Sequence, residues 1–245
     1  MAIIARADRV RRKGSWPGRV ELTSGWGRVI ARPWNDDIDA AAVRFDRGNA
    51  RFLRACAQLV QEWTAEVLSP ATLPSSVRVW RDAGFIENDR LLLLESRLAS
   101  VGPPDHLVEP GGLEPLDEIY AIDQASFPPA WRLGRLGLAE SVAATGRSVV
   151  LRTKDQQGTV SGFAICGVSL GTGYLQRLAV DPSSRAQGIG GSLVAASMAW
   201  ARRQGAATLL VNTQSDNQPA ASLYRRMGFT DVVGGLVLLR YQGVG

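Results

Sequence analysis

The stretch that decides the fold is residues 174–191, which read Tyr-Leu-Gln-Arg-Leu-Ala-Val-Asp-Pro-Ser-Ser-Arg-Ala-Gln-Gly-Ile-Gly-Gly. Its first part has the character of a strand ending at Val180, and Asp181-Pro182 then turns the chain. Glycines at positions 188, 190 and 191 open a helix and leave its first backbone N–H groups unobstructed at the positive end of the helix dipole. The pattern predicts a loop that binds a phosphate or diphosphate, and an ordinary glycine-rich turn is the alternative for this feature alone.

Two common nucleotide-binding loops are excluded by the letters that follow. A Walker A loop needs lysine and then serine or threonine after its last glycine, whereas Ser192-Leu193 follows here. The dinucleotide-binding fingerprint needs a third glycine at position 193, which is leucine. These two dinucleotide- and nucleotide-binding loops are therefore excluded, and the ordinary glycine-rich turn stays open as the alternative to another diphosphate site.

Two motifs stand out in the second half of the chain. The first is Arg185-x-x-Gly188-x-Gly190 preceded by Leu-Ala-Val-Asp-Pro. The second is Asn217-x-Pro219-Ala220-x-x-Leu223-Tyr224-x-x-x-Gly228-Phe229. Together they resemble the GNAT superfamily of N-acetyltransferases, especially its ribosomal-protein N-terminal acetyltransferase branch, and the first is similar to the acyl-CoA loop of that superfamily. The resemblance covers roughly Asp105–Tyr241 and implies a GNAT fold, acetyl-CoA as co-substrate, no metal, and direct transfer of an acetyl group to a primary amine.

The resemblance also implies a division of labour among named residues. The strand backbone at Leu178, Ala179 and Val180 would run beside the pantetheine arm, and an N–H near Leu178 would polarise the thioester carbonyl. Asn217 would hydrogen-bond the same arm, and Tyr224 would protonate the departing thiolate, with a core tyrosine as the alternative. The loop that would hold the diphosphate consists of Arg185, Ala186, Gln187, Gly188, Ile189, Gly190 and Gly191.

The general base is where the sequence departs from the pattern. The ribosomal-protein branch carries glutamate twelve residues before the tyrosine, where this chain has Asn212, and the other common carboxylate position is Gln176. Asp123, Glu140 or a water chain could take the proton instead, although each carboxylate also fits a solvated surface position. Cys166 is interpreted as a buried small hydrophobe, and His106 receives no role.

The remaining periodicity of the second half predicts an α/β or α+β fold with a mixed, largely antiparallel central sheet flanked by helices. Strands are expected at 148–152, 160–166, 174–180, 209–211 and 236–241, and helices near 113–127, at 190–205 and from Pro219 to Gly228. Phe127-Pro128-Pro129-Ala130-Trp131 stands where the acceptor-side loop of the family lies.

The first half resembles a second, degenerate copy of the same fold. Val79–Phe85 matches Leu223–Phe229 at a constant offset of 144 positions, and helices are expected at 49–67 and 78–82, with a strand at 90–95. The stretch 43–49 lacks the glycine loop, and Trp80 replaces the tyrosine. We therefore expect two tandem domains, 1–104 without a cofactor loop and 105–245 with acetyl-CoA and the catalytic residues.

Composition limits the remaining possibilities. Of 245 residues, 45% are hydrophobic and 21% charged, so a disordered chain is excluded, and no apolar run approaches the roughly 18 residues of a membrane span. Residues 1–13 lack the apolar core of a secretory signal. With two cysteines and one histidine, a disulfide framework or metal site is not expected, and a reducing cytoplasm is.

The net charge of +5 suits an anionic cofactor, while nucleic-acid binding is not expected because the basic residues are scattered. The acceptor stays open among protein α-amines, which the resemblance favours, lysine side chains, antibiotics and polyamines. A non-catalytic acyl-CoA-binding module and an RNA- or ribosome-binding protein are the competing functions.

Overall fold

The computed structural model describes residues 10–98 and 102–243. Of residues 1–13, in which no secretory signal is expected, residues 1–9 lie outside the described part. The helices are α1 Ala50–Gln61, α2 Arg78–Asp82, α3 Leu116–Ser126, α4 Arg135–Ala143, α5 Ile189–Arg203 and α6 Gln218–Arg226. The strands are β1 Arg11–Lys13, β2 Val20–Ser24, β3 Gly27–Pro33, β4 Ala40–Arg47, β5 Glu66–Leu68, β6 Phe85–Arg97, β7 Glu109–Gly111, β8 Arg147–Lys154, β9 Val160–Ser169, β10 Thr172–Val180, β11 Thr208–Gln214, β12 Thr230–Asp231 and β13 Leu236–Tyr241.

The chain forms two compact units. The first comprises Met1–Leu91 together with Gly234–Gly245, and the second comprises Leu92–Val233. This division falls inside β6, whereas the expected boundary lies after Pro104. The expected roles of the two halves stay a prediction.

The first unit is a sheet covered by α1. Its strand order is β1-β2-β3-β4-β5-β13-β6, with β4 and β5 parallel and the other neighbouring strands antiparallel. Asn49 caps α1 by accepting a 2.9 Å hydrogen bond from Phe52 N, and the helix buries one apolar face, as its period predicts. Its core includes Leu53, Val60 and Trp80.

The predicted helix over 49–67 is too long. The structure ends α1 at Gln61 because Asp39 accepts hydrogen bonds from Thr64 Oγ1 at 2.8 Å and from Ala65 N at 3.1 Å. These bonds turn the chain into β5, which pairs with β4. A helix end fixed by a side chain far earlier in the sequence leaves no local signal at the helix itself.

The second unit is a sheet with helices on both faces. Its strand order is β6-β11-β10-β9-β8-β7, where β10 and β11 are parallel and β7–β8, β8–β9 and β9–β10 are antiparallel. Successive residues of β9 face opposite sides, so Ala164 and Cys166 pack with α5 whereas Phe163 and Ile165 pack with α3 and α4. The expected mixed, largely antiparallel sheet flanked by helices is confirmed.

The site lies where two strands of this sheet part. β10 pairs with β11 only from Thr172 to Leu175, although both strands continue further. The register of β10 against β9 shifts between Leu175 and Arg177, which places a bulge at Gln176. Beyond the bulge, the edge of β10 from Leu178 to Val180 has no ladder partner on the β11 side.

Candidate active site

A cavity of about 650 Å³ occupies the opening between the end of β10 and the first turns of α5 and α6. Arginines 185 and 226 line it, and its lining contains no aspartate or glutamate, so its charge suits an anion. Of the residues expected to bind the cofactor, only Gln187 is outside the lining. The lining residues are Ser126, Phe127, Leu178, Ala179, Val180, Ser184, Arg185, Ala186, Gly188, Ile189, Gly190, Gly191, Asn217, Pro219, Ala220, Ser222, Leu223 and Arg226.

The glycine loop presents backbone donors at one end of this cavity. Gly188 is the N-cap residue of α5 with φ of 86°, a left-handed conformation that glycine adopts without strain. No side chain caps the helix, so the N–H groups of Ile189, Gly190 and Gly191 keep their donor capacity at the positive end of the dipole. This arrangement is able to hold a diphosphate.

Gly190 also lies in a narrow gap between the two helices. A Cβ built at this position would come within 3.2 Å of Leu223 Cδ2 on α6. Any side chain there would therefore push on α6 as well as cover the donors of the first turn.

The edge of β10 departs in one respect from the pairing expected with a pantetheine arm. The Val180 carbonyl already accepts hydrogen bonds from Ser126 Oγ at 3.1 Å and from Arg185 Nε at 3.4 Å. It therefore has little capacity left for an added strand, and Leu178 is the better candidate. Ser126 and Phe127, at the end of α3, line the cavity although sequence analysis gave Ser126 no role.

Asn217 has a structural task that the sequence motif did not reveal. Its side-chain oxygen accepts a 3.3 Å hydrogen bond from Ala220 N and caps α6. The oxygen is committed to the cap, so a contact with the pantetheine arm would come from the amide NH₂ group, which donates. Asn217 lines the cavity as expected.

Tyr224 lies on α6 but is not among the cavity-lining residues. It is buried, with 4% of its surface exposed, and its ring packs against Phe229 with centroids 5.7 Å apart. Burial raises the pKa of the phenol, and the charge of Arg177 opposes that rise. The hydroxyl therefore keeps its proton at neutral pH, as a general acid must, and its catalytic role stays a prediction.

A buried ion pair anchors the expected acceptor-side loop to β10. Arg177 Nε donates to Asp123 Oδ2 at 2.6 Å, its Nη2 donates to the Trp131 carbonyl at 2.9 Å, and its guanidinium lies 3.4 Å from the centre of the Phe127 ring. The other Asp123 oxygen accepts from Leu133 N at 2.8 Å. Burial lowers the pKa of Arg177 while Asp123 opposes the shift, and the guanidinium remains charged.

This ion pair removes Asp123 from the candidate bases. Its side chain is fully buried and both oxygens are engaged, so it cannot accept a proton from an incoming amine without breaking the pair. Gln176 lies at the bulge, and its buried side-chain oxygen has no hydrogen-bond partner. Asn212 is exposed, and Glu140 is half-buried on α4. A carboxylate base is therefore not assigned.

His106, which sequence analysis left without a role, contacts the glycine loop. Its Nε2 lies 2.7 Å from the Gln187 carbonyl, and its backbone N donates to Ser192 Oγ at 3.1 Å. The partners are separated by 81 and 86 positions, so no local pattern could have revealed them.

Other reactive groups take no part in the site. Cys56 and Cys166 are buried free thiols, and burial raises the pKa of each to about 12, which keeps both protonated and unreactive. Within residues 10–98 and 102–243, no cluster of three or more metal-ligating side chains is present. Across the same ranges, none of the helices is long and apolar enough to span a membrane.

The part of the chain that contains the cavity and the glycine loop is similar to a known protein family. Residues 116–229 match the family model described as acetyltransferase (GNAT) family, a segment that includes α3, the glycine loop and Tyr224. This segment, just under half of the chain, is similar to the GNAT family. The match to the family covers the second unit only, so it says nothing about the first.

Two curated relatives of this GNAT segment illustrate its range. A mycothiol acetyltransferase from Clavibacter michiganensis is 33% identical over 109 residues, which are 44% of this chain and 36% of that protein. A ribosomal protein bS18-alanine N-acetyltransferase from Haemophilus ducreyi is 28% identical over 116 residues, 47% of this chain and 77% of that protein. The match spans about a third of the length of the mycothiol acetyltransferase.

A solved structure extends the likeness to most of the chain. A tandem GNAT protein from the clavulanic acid biosynthesis pathway is 16% identical and covers 93% of this chain and 83% of its own, with a TM-score of 0.62. At this identity, the likeness concerns the GNAT fold alone.

Proposed function

We propose that this protein transfers the acetyl group of acetyl-CoA directly to a primary amine. The observation that carries the proposal is the uncapped, glycine-opened start of α5 beside the unpaired edge of β10, both facing one cavity free of acidic lining residues. The helix start suits the diphosphate of coenzyme A, and the edge at Leu178 suits its pantetheine arm.

The chemistry follows from these placements. The neutral amine attacks the thioester carbon, a C–N bond forms, and backbone N–H groups stabilise the oxyanion that develops. The C–S bond then breaks and coenzyme A leaves as a thiolate, which takes a proton from Tyr224 in our assignment. The amine proton passes to solvent, and the tyrosinate takes a proton back from solvent, which restores the enzyme. Since no carboxylate lines the cavity, we infer that the acceptor amine arrives largely uncharged.

This requirement selects among acceptors. At pH 7.5 roughly a third of α-amino groups are neutral, compared with about 0.1% of lysine side chains. An enzyme without a strong base therefore favours amines of low pKa, such as the α-amine of a protein or a cysteinyl or amino-sugar amine. The name of the bS18-alanine N-acetyltransferase relative agrees with a protein α-amine, and that of the mycothiol acetyltransferase with a small molecule.

The structure of the first unit favours one acetyl-CoA per chain, bound by the second unit. The start of α1 is capped by Asn49, and a Cβ at Gly48 would lie 2.7 Å from the Phe52 ring and 3.0 Å from that of Phe45. Aromatic side chains thus occupy the place where backbone donors would need to be open. We infer a degenerate GNAT-like half that takes no acetyl-CoA.

Thiol release from acetyl-CoA tests the proposal. The acceptors are a peptide with a free N-terminus, the same peptide N-acetylated but carrying lysine, and small amines of graded pKa. We expect kcat/KM to rise with pH to a plateau, with an apparent pKa that follows the amine. An apparent pKa that is the same for every acceptor, or equal rates for the lysine peptide, would contradict the acceptor argument. Acetyl-CoA binding without release to any acceptor would favour the non-catalytic module.

A further inference from the structure

His106, in the segment that precedes β7, contacts both the glycine loop and the helix α5 that follows it. Its ring nitrogen Nε2 lies 2.7 Å from the Gln187 carbonyl oxygen, and its backbone N–H donates to Ser192 Oγ in the first turns of α5. A Cβ at Gly188 would be 3.4 Å from the same ring nitrogen. One residue therefore contacts both the loop and the helix that the loop begins.

The partner of this hydrogen bond determines that Nε2 of the His106 ring carries a hydrogen. A carbonyl oxygen only accepts hydrogen bonds, so Nε2 must carry the hydrogen and donate to Gln187. The bond holds the carbonyl of the Gln187–Gly188 peptide toward His106. Because a trans peptide is planar with its C=O and N–H on opposite sides, the Gly188 N–H is turned away from His106. Gly188 lines the cavity, whereas Gln187 and His106 do not.

We propose that His106 is a positioning residue that aims the Gly188 N–H at the diphosphate of acetyl-CoA. It acts through the Gln187 carbonyl and does not touch the cofactor. The proposal rests on the proposed function, since it concerns how the same loop binds its ligand. It predicts that the contribution of His106 depends on the diphosphate and is absent for a donor that lacks one.

The test compares two acetyl donors with and without the histidine. His106→Leu removes the donor, and His106→Gln retains a side-chain N–H₂ that can reach a carbonyl. For His106→Leu we expect acetyl-CoA to bind about five- to tenfold more weakly, the scale of one hydrogen bond. The kcat/KM for S-acetylpantetheine, which has no diphosphate, should stay at the wild-type value. His106→Gln should recover most of the lost affinity, and Leu107→Ala, at a neighbouring residue that is 80% exposed, should change neither donor.

Any other result would contradict the proposal that His106 positions the glycine loop. Unchanged acetyl-CoA affinity in His106→Leu would show that the contact does not position the loop. An equal loss with S-acetylpantetheine would show that His106 only supports the fold. If wild-type protein binds no acetyl-CoA, the proposed function fails first, and this inference falls with it.

A measurement on the unaltered protein covers the case in which His106→Leu does not fold. His106 is the only histidine of the chain, so the Hε1 proton of its ring gives a single NMR signal. Coenzyme A should shift that signal at concentrations where pantetheine does not. A signal that ignores coenzyme A at saturation would refute the proposal.

Discussion

Asp123→Asn tests the buried ion pair that ties α3 and the acceptor-side loop to β10. The substitution keeps the shape of the side chain but replaces one oxygen with an NH₂ group. If the new NH₂ group faces Arg177, two hydrogen-bond donors meet where the 2.6 Å contact was. If the NH₂ group faces Leu133 instead, the Leu133 N–H loses its acceptor. Either way, a buried guanidinium loses its counter-charge.

The expected cost is large because both partners are shielded from water. The exposed fraction is 0% for the Asp123 side chain and 11% for that of Arg177. Removing one member of a buried pair costs roughly 3–5 kcal/mol, which corresponds to a lowering of Tm by about 6–20 °C for a chain of this size. The KM for the acceptor should also rise, since Arg177 no longer holds the Trp131 carbonyl and the Phe127 ring in place.

Urea unfolding and thermal scans provide the measurement, and a second ion pair from α3 provides the control. Asp117 pairs with Arg135 at 2.6 Å, but the two side chains are 85% and 52% exposed. Asp117→Asn should therefore cost less than about 1 kcal/mol. Combining Asp123→Asn with Arg177→Met should recover part of the stability by removing the stranded charge. If Asp123→Asn is no more destabilising than Asp117→Asn, the pair is not a structural anchor and our reasoning is wrong.

Three further results are expected. Tyr224→Phe should lower the rate of acetyl transfer about a hundredfold or more while leaving acetyl-CoA affinity unchanged, and a wild-type rate under chemistry-limited conditions would make Tyr224 a core residue. Gly190→Val should weaken acetyl-CoA binding about tenfold or more in a calorimetric titration, with some loss of stability from the contact with Leu223, whereas retained affinity would mean that the loop was misassigned. The same titration of wild-type protein should give one site per chain, and two equivalent sites would disprove the degenerate first half.

The glycine loop and the helices after it could be predicted because their signals are local. The end of β10, the turn at Asp181-Pro182 and the glycines of α5 follow one another along the chain, and each acts on its own neighbours. The apolar period of α5 likewise predicts Ile189 and Leu193 on its buried face.

The features that shape the cavity are set by contacts across the fold. The bulge at Gln176 and the parting of β10 from β11 depend on strand register, which no window of sequence contains. In the sequence, Asp123 fits a solvated surface position. Only the structure shows that its side chain is buried and paired with Arg177, which lies 54 positions later in the chain. The capping bond of Asn217 is an exception, because it could have been predicted from neighbouring residues: asparagine before Gln218-Pro219 is typical of a helix start.

The first unit was predicted less well for a related reason. Strands β2 to β4 form a meander whose residues are buried only once the strands pair, and their alternation is interrupted at Trp34–Asp39. Both helices of this unit were predicted, but the end of α1 was not, because Asp39 on the strand side determines it.

The central position of β13 has a consequence for how the protein is made. This strand lies between β5 and β6 in the first unit, and Leu239 exchanges hydrogen bonds with Ser69 there. A ribosome releases β13 after all of residues 92–233, so the second unit is complete in the nascent chain while the sheet of the first unit still lacks an inner strand. Domains usually fold from the N-terminus onward, whereas here we expect the second unit to fold first. A chain cut short before Gly234 would keep every residue of the GNAT segment and leave the first unit with an open sheet edge prone to aggregation.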